Sequence, residues 1–140
     1  MMEDYIKEYF QYFGVTPEIQ GVTLHPLPAS IQKLDIPVTP HNSYKTAVDY
    51  LLNLHEQDFD DIHYVLGISR DHCLFGKAVI RVGDDYYDPT VIGKNCFLPK
   101  EQFVSIYEMP VNDLKDFMVE HDNELPSILN LKVVEMLSQS

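Results

Sequence analysis

The sequence has no tryptophan, only two cysteines and six glycines, and few bases: ten Lys and Arg against 22 Asp and Glu. Each shortage excludes something. Cys73 and Cys96 form neither a CxxC pair nor a familiar zinc spacing, so two reduced thiols are expected rather than a disulfide framework. The net charge of −12 repels phosphate backbones and anionic lipid, which disfavours direct nucleic-acid binding and membrane attachment. It suits a protein partner with a basic surface, and it also serves simple solubility. No apolar run approaches the roughly 20 residues a helix needs to cross a bilayer. The opening Met1-Met2-Glu3-Asp4-Tyr5 lacks a basic flank followed by an apolar stretch, so the expected compartment is the cytoplasm.

What is present is enough for an ordered core. Hydrophobic residues make up 45% of the 140 positions, and nine are tyrosines. A chain of this size is expected to form one domain, 1–140, with no internal repeat. Three parts are legible within it: 1–41, 42–108 and 109–140.

In the first part, Tyr5, Ile6, Tyr9, Phe10 and Phe13 recur at helical spacing from Asp4 to Phe13. Gly14 and Pro17 end that helix. Between Val15 and His41 five prolines break any long helix, so an extended wrap is expected, with a short strand near Val22–Leu24. In the second part, Asn42 or Ser43 caps a helix whose apolar face is Tyr44, Ala47, Val48, Leu51, Leu52 and Leu54. The period then changes. Ile62–Ile68 and Lys77–Val82 read as strands with a loop at 70–76 between them. Gly83-Asp84-Asp85 reads as a tight turn into a strand at Tyr86–Tyr87. Gln102–Tyr107 is a further strand. The third part holds a helix from about Asn112 and a last one over Ser127–Leu137. Strands grouped together, not alternating with helices, predict an α+β fold: helices on an antiparallel sheet of three to five strands.

His55, Glu56, Asp58, Asp60, Asp61 and His63 crowd one stretch, but their spacing matches no zinc motif such as HExxH. The run Asp58-Phe59-Asp60-Asp61 lacks the glycine and distal glutamate of a calcium loop. Its expected role is a solvated helix-to-strand turn carrying an acidic patch of Glu56, Asp58, Asp60 and Asp61. No metal or cofactor is expected.

Two stretches together carry a resemblance. The first is Asn42-Ser43-Tyr44-Lys45-Thr46-Ala47-Val48-Asp49-Tyr50-Leu51-Leu52. The second is Tyr64-Val65-Leu66-Gly67-Ile68 followed by Gly76-Lys77-Ala78-Val79-Ile80-Arg81-Val82-Gly83-Asp84-Asp85-Tyr86-Tyr87-Asp88-Pro89-Thr90. Over about 42–90 this resembles the core of the papain-like and transglutaminase-like thiol hydrolases. In that core a Cys opens a helix, a His begins a strand, and an Asp or Asn follows on the next strand. The chemistry explains the order. A helix N-terminus stabilises a thiolate, the His takes its proton, and the third group holds the imidazole tautomer. This sequence places Ser43 and Lys77 where the family has Cys and His, and only Asp88 keeps the pattern.

The resemblance therefore implies vestigial positions at Ser43, Lys77 and Asp88, in a cleft that His41 and His72 could also line. Each residue has a plainer role. Ser43 serves as a helix cap, Lys77 as the exposed start of a strand, and Asp88 as a turn former. A Ser43 nucleophile with a Lys77 base requires the amine to give up its proton, which Asp88 opposes, so a Lys77–Asp88 ion pair is expected instead. Cys73 beside His72 is expected to be a packed or incidental thiol in the 70–76 loop.

The first expectation is thus a non-catalytic binding protein, a pseudoenzyme on this scaffold. Short acidic chains with an unmatched N-terminal wrap resemble viral and phage accessory proteins, which would place it in a host cytoplasm against a basic host protein. The second is a hydrolase or acyltransferase using Ser43, Lys77 and Asp88. The third is an assembly module that exposes the aromatic face of Tyr5, Tyr9 and Phe13. Oligomeric state is not encoded in any of these patterns.

Overall fold

In the computed structural model of the chain, which describes residues 2–12, 19–39, 42–71, 73–90 and 102–126, the longest helix begins where a side chain caps it. Asn42 Oδ1 accepts a hydrogen bond from Lys45 N at 3.0 Å, satisfying one of the amides that a helix start leaves free. This helix, Ser43–Glu56, is counted in chain order as α3, after α1 (Met2–Tyr12) and α2 (Ala29–Gln32). Its buried stripe of Ala47, Val48, Leu51 and Leu54 follows the spacing read from sequence. Completely burying one leucine there is worth roughly 1.5–3 kcal/mol. The helix ends at Glu56, and two residues on Asp58 turns the chain with a φ of 66°, in the left-handed region that Asp tolerates better than most residues.

That stripe packs on a curled six-stranded sheet. In chain order the strands are β1 (Gln20–Val22), β2 (Leu24–His25), β3 (Ile62–Asp71), β4 (Cys73–Val82), β5 (Asp85–Tyr87) and β6 (Gln102–Pro110). The spatial order is β1-β6-β3-β4-β5-β2. All pairs are antiparallel except β2 with β5, so the sheet is mixed and has one strand more than the upper expectation. The fold is α+β, as the grouping of strands predicted.

Its closure is a consequence of one short segment. β1 pairs with β6 at one end of the sheet, and β2 pairs with β5 at the other. Only Thr23 separates them in sequence, so Val22 and Leu24 lie at most about 7 Å apart. The two ends of the sheet therefore meet, and the sheet approaches a barrel. Its outer face (Ile62, Tyr64, Leu66, Ala78, Ile80, Val104, Ile106) joins one large core with α3 and with Leu114 and Phe117 of α4 (Val111–Glu120). Its inner face forms a smaller core of Leu24, Val65, Val79 and Phe103. A Cβ on Gly67 would lie 2.3 Å from the Val104 carbonyl oxygen and 2.4 Å from the Phe103 ring, so only glycine admits this inward packing. The β3–β6 register shifts at the same place, between Leu66 and Gly67.

Two expectations change. Arg70, Asp71 and residues 73–76 belong to strands, not to a loop: β3 and β4 pair out to Asp71↔Cys73, because a long two-stranded ribbon satisfies backbone groups that a loop would leave to solvent. The proline-rich wrap contains the short helix α2, starting directly after Pro28, and buries Leu27, Ile31 and Ile36. It is held down by Tyr50 Oη donating to the Ile36 carbonyl at 3.4 Å and by Thr39 N donating to Thr46 Oγ1 at 3.1 Å. The helix expected from about Asn112 is α4, which begins at Val111. The expected helix over Ser127–Leu137 lies outside the described residues. Just before it, Tyr64 Oη donates to the Pro126 carbonyl at 2.7 Å, from a buried position that pushes the phenol well above its ordinary pKa.

Candidate functional site

β5 covers β4 only from Ile80 to Val82. Beyond that point β4 has an edge that no described strand covers, and the start of α3 sits there. Ala78 N donates to Ser43 Oγ at 3.2 Å. Ser43 is therefore not the helix cap. Asn42 does that, and Ser43, the first helical residue, bridges the helix to the strand. The bridge satisfies a backbone amide that would otherwise be left without a partner at the sheet edge.

Lys77 is one residue before that amide. Its exposed placement at a strand start is overturned: it lies mid-strand and is 7% exposed. Strand alternation turns it away from α3, on the side opposite to Ala78. Its Nζ forms an ion pair with Asp88 Oδ2. Asp88 is completely buried, and its other oxygen, Oδ1, accepts from Thr90 N at 3.0 Å and from Thr90 Oγ1 at 2.6 Å. The turn-forming role and the ion-pair role thus belong to one carboxylate, each on its own oxygen. Asp88 is anchored further by its N–H donating to the His25 carbonyl at 3.4 Å, which fastens the segment that closes the sheet.

Ser43, Lys77 and Asp88 are brought to one region of the fold, where the start of α3 meets β4 and the end of β5. His41 and His72 lie outside the described residues, as does Cys96. Cys73 opens β4 instead of sitting in a loop. In chemical terms the trio holds a hydroxyl bonded to a backbone amide, an ammonium and a carboxylate. A Lys base here would have to give up its proton in contact with a carboxylate, against the Coulomb attraction of the pair.

A second polar cluster escaped the sequence reading. On the inner face, Glu108 Oε2 accepts from Tyr86 Oη at 2.6 Å and from Ser105 Oγ at 3.1 Å, while Arg81 Nε lies 2.8 Å from Glu108 Oε1. Burial and the Glu108 carboxylate push Tyr86 up to about 12. Register decides this meeting: Arg81 lies opposite Tyr86, and Glu108 opposite Val65. The period-2 pattern places Arg81 on the face of Val79, but no sequence signal predicts that β6 brings Glu108 to it.

The acidic patch is larger than the run Glu56–Asp61. Gly83 N donates to the Asp61 carbonyl at 2.8 Å, so the β4–β5 turn folds onto the corner before β3. Exposed Asp84 and Asp85 thereby join exposed Glu56, Asp58, Asp60 and Asp61. The two histidines of that stretch separate. His55 Nδ1 meets Lys115 Nζ at 2.5 Å, linking α3 to α4, while His63 lies on β3 beside Arg81. Among the described residues no group of three or more His, Cys, Asp or Glu is placed to hold a metal ion. Among them too, no helix is long and apolar enough to cross a membrane.

No protein-family model matches this chain, and neither a curated protein nor a solved structure does.

Proposed function

We propose that this chain is a non-catalytic binding protein on a papain-like or transglutaminase-like scaffold, with a basic protein as its partner. The observation that carries the reading is the engagement of all three vestigial positions in structure. Ser43 Oγ accepts from the Ala78 amide, Lys77 pairs with Asp88, and the remaining Asp88 oxygen is held by Thr90. A working nucleophile needs a base free to take its proton. The joined acidic corner of Asp58, Asp60, Asp61, Asp84 and Asp85 supports a basic partner, because clustered exposed carboxylates attract cationic surfaces over a Debye length. A host-cytoplasm setting, as for viral accessory proteins, belongs to the same proposal and rests on charge and size alone.

A fluorophosphonate probe tests the catalytic side. No labelling of the intact chain is expected. Covalent labelling that disappears in Ser43→Ala would establish the hydrolase or acyltransferase reading instead. The binding side is tested by retention of basic host proteins on the immobilised chain. Retention should fall when those five aspartates are replaced by asparagine and should weaken steadily with salt; retention indifferent to both changes rules out the acidic corner.

A further inference from the structure

The β4–β5 turn is held from both sides at a single residue. Gly83 N donates to the Asp61 carbonyl at 2.8 Å, and Arg81 Nη1 donates to the Gly83 carbonyl at 3.3 Å. Gly83 has a φ of 60°, which a glycine adopts without strain, and apart from the Val82↔Asp85 pairing at its base the turn is fixed to the rest of the fold through these two holders. Between those two holders stands His63. It is the direct cross-strand partner of Arg81, and its Nδ1 lies 3.6 Å from Asp61 Oδ1, just beyond a hydrogen bond. Nδ1 itself is buried and makes no hydrogen bond among the described residues.

We propose that protonation of His63 releases the β4–β5 turn by acting on both of its holders at once. An imidazolium draws the Asp61 carboxylate toward it, turning the residue whose carbonyl holds Gly83 N. The same charge repels Arg81 across the strand pair, weakening the hold on the Gly83 carbonyl. The charged groups that act on His63 are Arg81 on β4, Asp61 before β3 and Glu108 on β6. Glu108 already faces Arg81, Tyr86 and Ser105, so it is not free to neutralise a new cation without loosening Arg81 further. Tyr86 joins this group through its hydrogen bond to Glu108 and as the cross-strand neighbour of Arg81.

The direction in pH follows. Burial first, and then the Arg81 charge, hold the His63 pKa below its ordinary 6.5. The neutral ring is therefore the form the fold prefers. Its contribution is present above pH 6.5 and is lost as the pH falls through the lower folded value. The device stands on the turn geometry and does not require the acidic corner to bind anything, although Asp84 and Asp85 would move with the turn.

Amide hydrogen exchange on the full chain tests it. The Gly83 protection factor should fall about tenfold or more between roughly pH 7.5 and 5 in the wild type, while buried amides of β3 keep theirs. In His63→Gln, which cannot become a cation, that fall should be absent. A wild-type protection factor that does not change, or an equal fall in His63→Gln, overturns the proposal. Should the variant fold poorly, the wild type still decides: the NMR titration midpoint of the His63 ring and the midpoint for Gly83 exchange must coincide, and separate midpoints overturn the proposal.

Discussion

Two ion pairs stand on the inner side of one strand, four residues apart, and they are built for different conditions. Lys77–Asp88 is sealed, with side-chain exposures of 8% and 0%. Arg81–Glu108 is about a quarter open, at 23% and 24%. The sealed pair has Thr90 filling the second carboxylate oxygen, so its charges are compensated locally. The open pair is part of a network with Tyr86 and Ser105, in partial contact with water. Buried charges that lose a partner cannot recruit solvent, whereas partly exposed ones can. The lesson is that position along β4 decides whether a charged pair locks the fold or stays responsive.

The sharpest way to break that comparison is to remove one charge from the sealed pair. Lys77→Ala should cost about 3–5 kcal/mol, because it leaves a buried carboxylate without its cation. That is a large share of the roughly 5–15 kcal/mol by which a domain is stable, and a urea titration will show it as a large drop in midpoint. The pair Lys77→Met with Asp88→Asn should recover part of the loss, since Asn is neutral and can still accept from Thr90. No recovery would mean that the uncompensated charge is not the cause.

Glu108→Gln probes the open pair and should cost less, about 1.5–3 kcal/mol and toward the low end because water reaches it. Its more specific signature is in alkali. The Tyr86 pKa is raised to about 12, so its stabilisation is complete below the phenol's ordinary 10.0 and is lost as the pH rises from there through 12. In Glu108→Gln the pKa of Tyr86 should move back toward 10.0, and that alkaline loss should shrink. An ultraviolet titration of the phenols alongside thermal melts reads both. If the wild type and the variant lose stability alike, the network does not hold Tyr86. The smallest effect expected is at the entrance to the helix. Asn42→Ala should cost about 1 kcal/mol by freeing the Lys45 amide, which a melt will resolve.

Much of the secondary structure was legible because its periods were strong. The α3 stripe Ala47, Val48, Leu51 and Leu54 repeats at helical spacing, and the Gly83 turn separates two β-rich runs. The ion pair of Lys77 with Asp88 was also readable, from charge logic applied to a resemblance. Burial of Lys77 was not, because a lysine at the start of an apolar run looks like an exposed edge until a carboxylate just beyond the next strand is known to face it. The short helix α2 was hidden by prolines, which mark where helices start as well as where they stop. The meeting of Glu108 with Arg81 and Tyr86 depends on a register shift at Gly67, which no local pattern announces.

The sequence by itself determined the α+β class, the positions of the main helix and of most strands, and a net charge of −12. Those follow from side-chain period and net charge, which are local or additive properties. Only the tertiary structure decided that Gln20–His25 closes the sheet by pairing with both of its ends, that Ser43 bridges to β4 where β5 stops, and that the acids at 84 and 85 join those at 56–61. Each of these depends on pairing between segments far apart in the chain, where closure and register set which groups meet and no residue's own preference can.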